Sequence, residues 1–162
     1  VSFLRELDIP VAIMTGENTQ IVQKRADKLK SDYCYLGVKD KVAQAEELCR
    51  ELGISLGEVA FIGDALNDLP LLRLVGYSAS PSNTPEYVKR EVKYVTAAHG
   101  GYGAFREFVE KLLSDNGVLE KTVGKFLKCP LCLWMGDFAG HVRYAVTVSL
   151  WKRWLFPVSS CL

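Results

Sequence analysis

The sequence carries almost no net charge, because 20 basic and 19 acidic side chains leave +1 at pH 7. This balance gives no reason to expect nucleic acid or an anionic membrane as a partner. No apolar stretch reaches the length of a membrane span, and no signal-peptide pattern opens the chain. We therefore expect neither a nucleic-acid-binding protein nor a membrane protein.

Cysteines are few and odd in number, with five in 162 residues. Without a secretory signal, an odd count favours a reducing compartment, and we expect the cytoplasm. Cys129 and Cys132 form a weak zinc pattern, because only His141 and Cys161 remain to complete four ligands, at irregular spacing. We do not expect a zinc site.

The length and composition suit one globular domain, with 49% hydrophobic and 24% charged residues. The first residue is Val1 rather than methionine, which leaves open that the chain is a piece of a longer product.

Short apolar runs alternate with amphipathic segments over the first two-thirds of the chain. The runs predict strands at residues 11–14, 33–36, 59–62, 76–79 and 94–95. Segments between and after them predict helices at residues 19–30, 40–52, 67–75 and 104–113, with another helix opening at Pro85. This order predicts an α/β fold of three layers, with a parallel sheet between two layers of helices.

The alternation of short apolar runs and amphipathic segments ends after Ser114. The tail, residues 114–162, holds all three tryptophans and shows no sustained period of either kind. We expect a domain at residues 1–113 followed by an atypical tail. The tail could be disordered, a dimer surface or an interfacial membrane segment, but we favour non-native sequence.

Polar side chains follow the predicted strands at three points. Thr15 ends the first strand, Lys41 opens a helix soon after the second, and Asp64 follows the third, with Asp68 one helical turn later. The carboxyl ends of parallel strands share one edge of a sheet, so a hydroxyl, an ammonium group and two carboxylates should meet there. Such a set suits phosphoryl transfer with Mg²⁺, although each residue alone is more simply a turn, a surface lysine or a helix cap.

Together these residues resemble the haloacid dehalogenase superfamily of phosphohydrolases. The resemblance is closest to the 3-deoxy-D-manno-octulosonate 8-phosphate phosphatases and the related nonulosonate 9-phosphate phosphatases, and it covers roughly residues 1–113. Four runs carry it: Met14-Thr15-Gly16-Glu17, Gly37-Val38-Lys39-Asp40-Lys41, Gly63-Asp64-Ala65-Leu66-Asn67-Asp68 and Gly100-Gly101-Tyr102-Gly103-Ala104-Phe105-Arg106-Glu107.

The resemblance implies a role for each residue of the predicted site. Thr15 and Gly16 would bind the transferring phosphoryl group, and Lys41 would offset negative charge. Asp64 would be a Mg²⁺ ligand, and Asp68 would support either the metal site or Lys41. The resemblance also implies a capless subunit that forms homotetramers, in which a neighbour helps to enclose the site.

Further candidate residues surround this set. Glu17 and Lys28 are candidate substrate-binding residues, against the alternative of a surface glutamate and a helix-face lysine. A glutamate after Thr-Gly resembles the nonulosonate branch, whereas arginine is common in the octulosonate branch. We expect Arg106 and Glu107 to form a helix-surface pair, although Arg106 could reach a substrate carboxylate from a neighbouring subunit. His99 is expected to be exposed.

The sequence departs from the family pattern in two places. The first family motif, Asp-x-Asp after an opening strand, supplies the nucleophile, and we expect it to lie upstream of Val1. The chain would then lack the first strand and would be inactive alone. Ala65 stands where many relatives carry a second aspartate, which would weaken metal binding.

We therefore expect a Mg²⁺-dependent phosphatase that acts on a phosphorylated 3-deoxy-2-ulosonic sugar acid through an aspartyl-phosphate. An alternative is the C-terminal module of an acylneuraminate cytidylyltransferase, with a role in oligomerisation. The coding sequence upstream of Val1 would distinguish them.

Overall fold

The computed structural model describes residues 2–127 and 145–149. Six parallel strands form one sheet in the order β2-β1-β6-β3-β4-β5. The strands are β1 (Val11–Met14), β2 (Tyr33–Tyr35), β3 (Val59–Ile62), β4 (Tyr77–Ser80), β5 (Tyr94–Val95) and β6 (Ala145–Ser149). Five of them match the predicted strands to within a residue.

Helices connect the strands and cover both faces of the sheet. They are α1 (Ser2–Arg5), α2 (Gln20–Leu29), α3 (Lys41–Leu52), α4 (Leu69–Leu74), α5 (Glu86–Lys89), α6 (Ala104–Asp115) and α7 (Leu119–Phe126). Short 3₁₀ turns at Leu56–Glu58 and Leu66–Asp68 precede β3 and α4. Residues 16–40 hold only α2 and β2, so no cap domain is inserted between Thr15 and Lys41.

Local sequence signals set the limits of α3. Asp40 caps its first turn, since the side chain accepts hydrogen bonds from the N–H groups of Val42 and Ala43 at 3.0 Å. Gly53 ends the helix in the left-handed conformation, with φ of 67°. This cap fixes the first helical residue, Lys41, at the carboxyl edge of the sheet.

The alternation of side chains along each strand divides the core into two clusters. Val11 and Ile13 of β1 face the cluster that includes residues of α1, α2 and α6, whereas Ala12 and Met14 face the cluster of α3, α4 and α5. Both clusters are buried, as a sheet covered on two faces requires. The predicted fold class is therefore confirmed.

β6 lies at the centre of the sheet, between β1 and β3. Its register places Ser149 opposite Met14 and Val148 opposite Ile62. Ala145, Val146, Thr147 and Val148 are all at most 5% exposed. The proposed limit of the domain at residue 113 stays a prediction, but this strand beyond it is part of the same sheet.

α7 is a second element that periodicity did not indicate. It lies against α1 and α6, and Thr122 within it is fully buried, with its hydroxyl donating to the carbonyl oxygen of Val118 at 2.8 Å. Within residues 2–127 and 145–149, no helix has the length and apolar character that crossing a membrane requires.

Candidate active site

Thr15 lies directly after β1 in a turn that is fastened to the neighbouring strand. It is 1% exposed, and its Oγ1 accepts the N–H of Glu17 at 3.1 Å. Its backbone N–H donates to Tyr35 at 3.0 Å, and its carbonyl oxygen accepts the N–H of Val38 at 2.9 Å. The turn after β1 and the loop before Lys41 are therefore held side by side.

Lys41 and Asp68 form a buried ion pair. Lys41 is 4% exposed and Asp68 is fully buried, and Nζ of Lys41 donates to Oδ1 of Asp68. Charged side chains are rarely buried to this extent unless they are paired. The pair joins the start of α3 to the turn after β3, which are 27 residues apart in sequence.

The second carboxylate oxygen of Asp68 organises the turn that carries Asp64. Oδ2 accepts the backbone N–H groups of Asp64 and Ala65, at 3.1 and 3.0 Å. Gly63 permits this close arrangement, because a Cβ there would lie 2.8 Å from Cβ, Cγ and Oδ2 of Asp68. Asp68 is thus a positioning residue for both Lys41 and Asp64.

The turns after β1 and β3 approach each other at the carboxyl edge of the sheet. A Cβ built on Gly16 would lie 3.8 Å from Nδ2 of Asn67, within ordinary contact distance. Together with the Lys41–Asp68 pair, this close approach places the turn of Thr15, the start of α3 and the turn of Asp64 in one assembly. The convergence expected from the sequence is present in the structure.

Asp64 is the residue of this assembly whose chemistry suits a divalent cation. It is half-buried, and its Oδ1 is buried. Mg²⁺ is commonly held by one or two carboxylates, with phosphate and water oxygens completing its shell. Within residues 2–127 and 145–149, no group of three or more metal-ligating side chains is found. The residues present therefore fit a shared site of this kind rather than an all-protein cage.

Not every candidate residue reaches this edge. Glu17 does, half-buried in the Thr15 turn, where its carbonyl oxygen accepts the N–H of Gly37 at 3.1 Å. Lys28 does not, because it lies exposed in the last turn of α2, whose end packs near Val11 at the start of β1. Within one chain, Lys28 lies near the amino ends of the strands, whereas Thr15 lies at their carboxyl ends.

The expected pair between Arg106 and Glu107 is wrong, because neighbouring residues of a helix do not face each other. Arg106 instead pairs with Glu110 at 2.8 Å, with an 81% exposed side chain. Glu107 accepts hydrogen bonds from Tyr94 Oη and from the N–H groups of Ala97 and Ala98, at 2.7 to 2.8 Å. Sequence reasoning missed this cap of the loop after β5.

Hydrogen bonding shifts the pKa values of Tyr94 and Glu107. The bond to Glu107, followed by burial, raises the pKa of Tyr94 to about 12. Burial alone would raise the pKa of Glu107, but the bonds from Tyr94 and the two backbone N–H groups together lower it.

The loops after β4 and β5 are joined as well. His99 is exposed, as expected, and its Nδ1 lies 2.9 Å from Oγ of Ser82. Oδ1 of Asn83 accepts the N–H of Gly100 at 2.8 Å. The zinc pattern of Cys129 and Cys132 lies outside the described residues.

Comparison with known proteins identifies the family. The sequence model of the haloacid dehalogenase-like hydrolases matches residues 37–105. The chain is 33% identical over 117 residues to the 3-deoxy-D-manno-octulosonate 8-phosphate phosphatase of Haemophilus influenzae, a match that covers 72% of this chain and 65% of that protein. The corresponding phosphatase of Escherichia coli K12 is 34% identical over 118 residues, covering 73% of this chain and 63% of that protein.

Solved structures of such phosphatases agree. The Moraxella catarrhalis enzyme, in complex with magnesium ion, phosphate ion and a KDO molecule, has a TM-score of 0.72 at 33% identity, covering 76% of this chain and 71% of that one. The cobalt-bound Haemophilus influenzae enzyme has a TM-score of 0.72 at 31% identity, covering 80% and 74%. The chain belongs to the 3-deoxy-D-manno-octulosonate 8-phosphate phosphatase family of haloacid dehalogenase-like hydrolases.

Membership of this phosphatase family confirms the resemblance expected from the sequence. The family match includes Lys41, Asp64 and Asp68, three of the four residues that meet at the carboxyl edge. The chain spans 63–65% of the length of the two curated family members compared above.

Proposed function

We propose that this chain supplies the phosphate- and metal-binding part of a Mg²⁺-dependent phosphatase that acts on 3-deoxy-D-manno-octulosonate 8-phosphate or a nonulosonate 9-phosphate. One observation carries the proposal: the buried Lys41–Asp68 pair joins the turns of Thr15 and Asp64 at one edge of the sheet. Preorganised groups of this kind stabilise the charge that develops during phosphoryl transfer.

Each residue has a distinct part in this proposal. Thr15 and the N–H of Gly16 bind phosphoryl oxygens, and Lys41 offsets the negative charge that gathers on them. Asp68 holds Lys41 in place and orients the Asp64 turn through two backbone hydrogen bonds. These roles need no large movement, because Thr15, Asp64 and Asp68 lie just after strands and Lys41 opens the capped helix α3.

Asp64 is the proposed ligand of the divalent cation. Relatives with magnesium or cobalt support a divalent metal, and the hard carboxylate oxygen of Asp64 favours Mg²⁺. When bound, the ion would offset charge on the phosphate. Asp64 and Asp68 are the two carboxylates of this turn, and Asp68 is paired with Lys41.

The reaction also needs a nucleophile, which the family resemblance gives as an aspartate. That aspartate would attack phosphorus while the bond to the sugar oxygen breaks, and water would then hydrolyse the aspartyl-phosphate. β6 runs between the strands that carry Thr15 and Asp64, yet its five residues include no carboxylate. We propose that the aspartate comes from outside the described residues.

We also propose the homotetramer that the resemblance implies, with a neighbouring subunit enclosing the site. Tyr102, in the glycine-rich segment before α6, is 68% exposed and offers an apolar surface to a neighbour. Light scattering after size-exclusion chromatography tests this association, and a monomer at micromolar concentration would contradict it.

The experiment that tests the site uses inorganic phosphate as its probe. Isothermal titration of the chain with phosphate should show binding only when Mg²⁺ is present. Asp64→Asn should either lose this binding or bind phosphate equally with and without Mg²⁺. Asp8→Asn is the matched control, because Asp8 lies in the loop before β1 and has a φ of 52°, which asparagine tolerates. Unchanged Mg²⁺-dependent binding in Asp64→Asn would refute the metal assignment.

Turnover is measured separately, with any segment that the coding sequence places before Val1 included. Phosphate release from 3-deoxy-D-manno-octulosonate 8-phosphate is compared with release from a nonulosonate 9-phosphate. Activity on one of them that requires Mg²⁺ and is lost in Asp64→Asn supports the proposal. Equal activity on unrelated phosphomonoesters would contradict the substrate class.

A further inference from the structure

The sheet is continuous only because β6 lies between β1 and β3. β1 pairs with β2 and β6, and β3 pairs with β6 and β4, so in the described sheet β1 and β3 do not pair with each other. Without β6, the sheet would separate into parts of two and three strands. The space between β1 and β3 is called the central slot below. A strand is required in it, because buried backbone N–H and C=O groups need partners.

The central slot selects for the kind of strand rather than for one sequence. β6 is five residues long, and its buried side chains at residues 145–148 are small. The bulkier side chains of this part of the sheet belong to the neighbouring strands, with Met14, Phe61 and Ile62 fully buried. Affinity between strands comes largely from main-chain hydrogen bonds, which any apolar strand of small residues can make.

The register of β6 shows which position of a strand in the slot reaches the candidate active site. Ser149 pairs with Met14, and the residue before it pairs with Ile62. Continued by one residue, this register brings the first position after the strand level with Thr15 on one side and Asp64 on the other. Neighbouring strands lie about 4.8 Å apart, so a side chain at that position lies beside both turns.

This position is where phosphoryl transfer needs its attacking group. Such a group must come within about 3–3.5 Å of phosphorus, and the proposed phosphate site lies between Thr15 and Asp64. In this sequence β6 is followed by Leu150, which has no nucleophilic atom. A strand followed by an aspartate would complete the site, whereas β6 leaves it without an attacking carboxylate.

We propose that the central slot is a binding site for a parallel apolar strand followed by an aspartate, and that β6 competes with this strand for the slot. The two strands exclude each other, because β1 and β3 each offer one free edge and the space between them holds one strand. β6 therefore keeps the sheet intact and at the same time excludes the attacking group. The role of the aspartate rests on the proposed function, whereas the exchange of strands does not.

The exchange conserves most of the interactions of the sheet. Backbone hydrogen bonds that β6 gives up are formed again by the incoming strand, so the balance depends on side chains and on how each strand is tethered. β6 is the last described strand, and residues 127–144 separate it from α7. Its replacement therefore leaves the order of β1 to β5 along the chain unchanged.

The test offers the full chain a second strand by fusion. The sequence Ala-Val-Thr-Val-Ser-Asp, which repeats β6 and adds an aspartate, is placed before Val1. A glycine-serine linker of about 20 residues spans about 25 Å and can return along the length of a strand. Val146→Asp in the original β6 removes the competitor. This variant should lose its cooperative urea transition without the fusion and regain it with the fusion, because the fused strand fills the slot.

Two matched fusions show what the fused strand contributes. Proline in place of its threonine should remove the rescue of folding, because a central strand does not accept proline. Asparagine in place of its aspartate should keep the rescue but lose Mg²⁺-dependent release of phosphate from 3-deoxy-D-manno-octulosonate 8-phosphate. Hydrogen exchange gives a further measurement: when β6 is unmodified, the fusion should make the amides of residues 145–149 exchange faster than in the unfused chain.

The outcomes separate this inference from the proposed function. No return of the urea transition, an equal return with the proline fusion, or a cooperative transition of Val146→Asp without any fusion overturns the strand exchange. A rescued chain that binds phosphate with Mg²⁺ but releases none overturns the part assigned to the aspartate. A rescued chain that does not bind phosphate overturns the proposed function and leaves the exchange of strands supported.

Discussion

The buried pair of Lys41 and Asp68 should be strongly coupled in the stability of the fold. Both side chains are at most 4% exposed, and Asp68 also accepts two backbone N–H groups. We consider the variants Lys41→Met, Asp68→Asn and the double variant. Removing one partner of a buried ion pair typically costs about 3–5 kcal/mol, because a charge stays buried without its counter-charge.

The structure predicts an order among the variants. Asp68→Asn keeps an oxygen that can accept the N–H groups of Asp64 and Ala65, so its cost comes from the ammonium group of Lys41 and should be the largest, about 4 kcal/mol. Lys41→Met leaves a carboxylate that those two N–H groups still stabilise, and should cost about 3 kcal/mol. The double variant buries no charge here and should cost about 2 kcal/mol or less.

Urea unfolding followed by far-UV circular dichroism measures all three variants. On these values the single costs together should exceed the double cost by about 5 kcal/mol. The exposed pair of Arg73 and Glu91 is the matched control, with side chains 58% and 35% exposed. Its cycle should give a much smaller coupling energy, because water and salt screen an exposed pair. Equal coupling energies at the two pairs would refute the reasoning.

Three further predictions concern other parts of the fold. Gly63→Ala should destabilise the protein by about 1–3 kcal/mol in urea, because its Cβ would meet Asp68 at 2.8 Å, whereas Gly57→Ala, whose nearest contact is 3.6 Å, should be nearly neutral. The pKa of Glu107 is lowered in the folded protein, so its carboxylate contributes to stability above the ordinary pKa of 4.5, and this contribution is lost as pH falls through the folded-state pKa. The melting temperature of Glu107→Gln should therefore fall less between about pH 5 and pH 3 than that of the unmodified chain. Val146→Asp should abolish cooperative unfolding, whereas Val95→Asp on the edge strand, 37% exposed, should still fold; a folded Val146→Asp would contradict the central place of β6.

The positions of Thr15, Lys41 and Asp64 could be predicted because local signals mark them. Each follows a short apolar run or a capping residue, and parallel strands bring such points to one edge without any knowledge of pairing. The limits of β1 and β3 were predicted to the residue for the same reason. The ion pair between Lys41 and Asp68 was one of two alternatives left open by the sequence, and the structure shows that Asp68 supports Lys41.

Other features depend on contacts between distant segments, which no local pattern records. Ala145–Ser149 is a short apolar run, and only its pairing with β1 and β3 distinguishes it from a buried helical segment. The role of Glu107 depends on the loop after β5 folding back over α6.

The central position of β6 bears directly on the chemistry. An attacking group must lie about 3–3.5 Å from phosphorus, in line with the leaving oxygen. At the proposed site, a phosphate held between Thr15 and Asp64 would lie over the strand between β1 and β3, which is β6. Neither β6 nor residues 150–162 after it contain an aspartate or glutamate. We therefore expect the chain alone to bind phosphate yet release almost none from a sugar-acid phosphate, and robust Mg²⁺-dependent turnover would show that another group attacks.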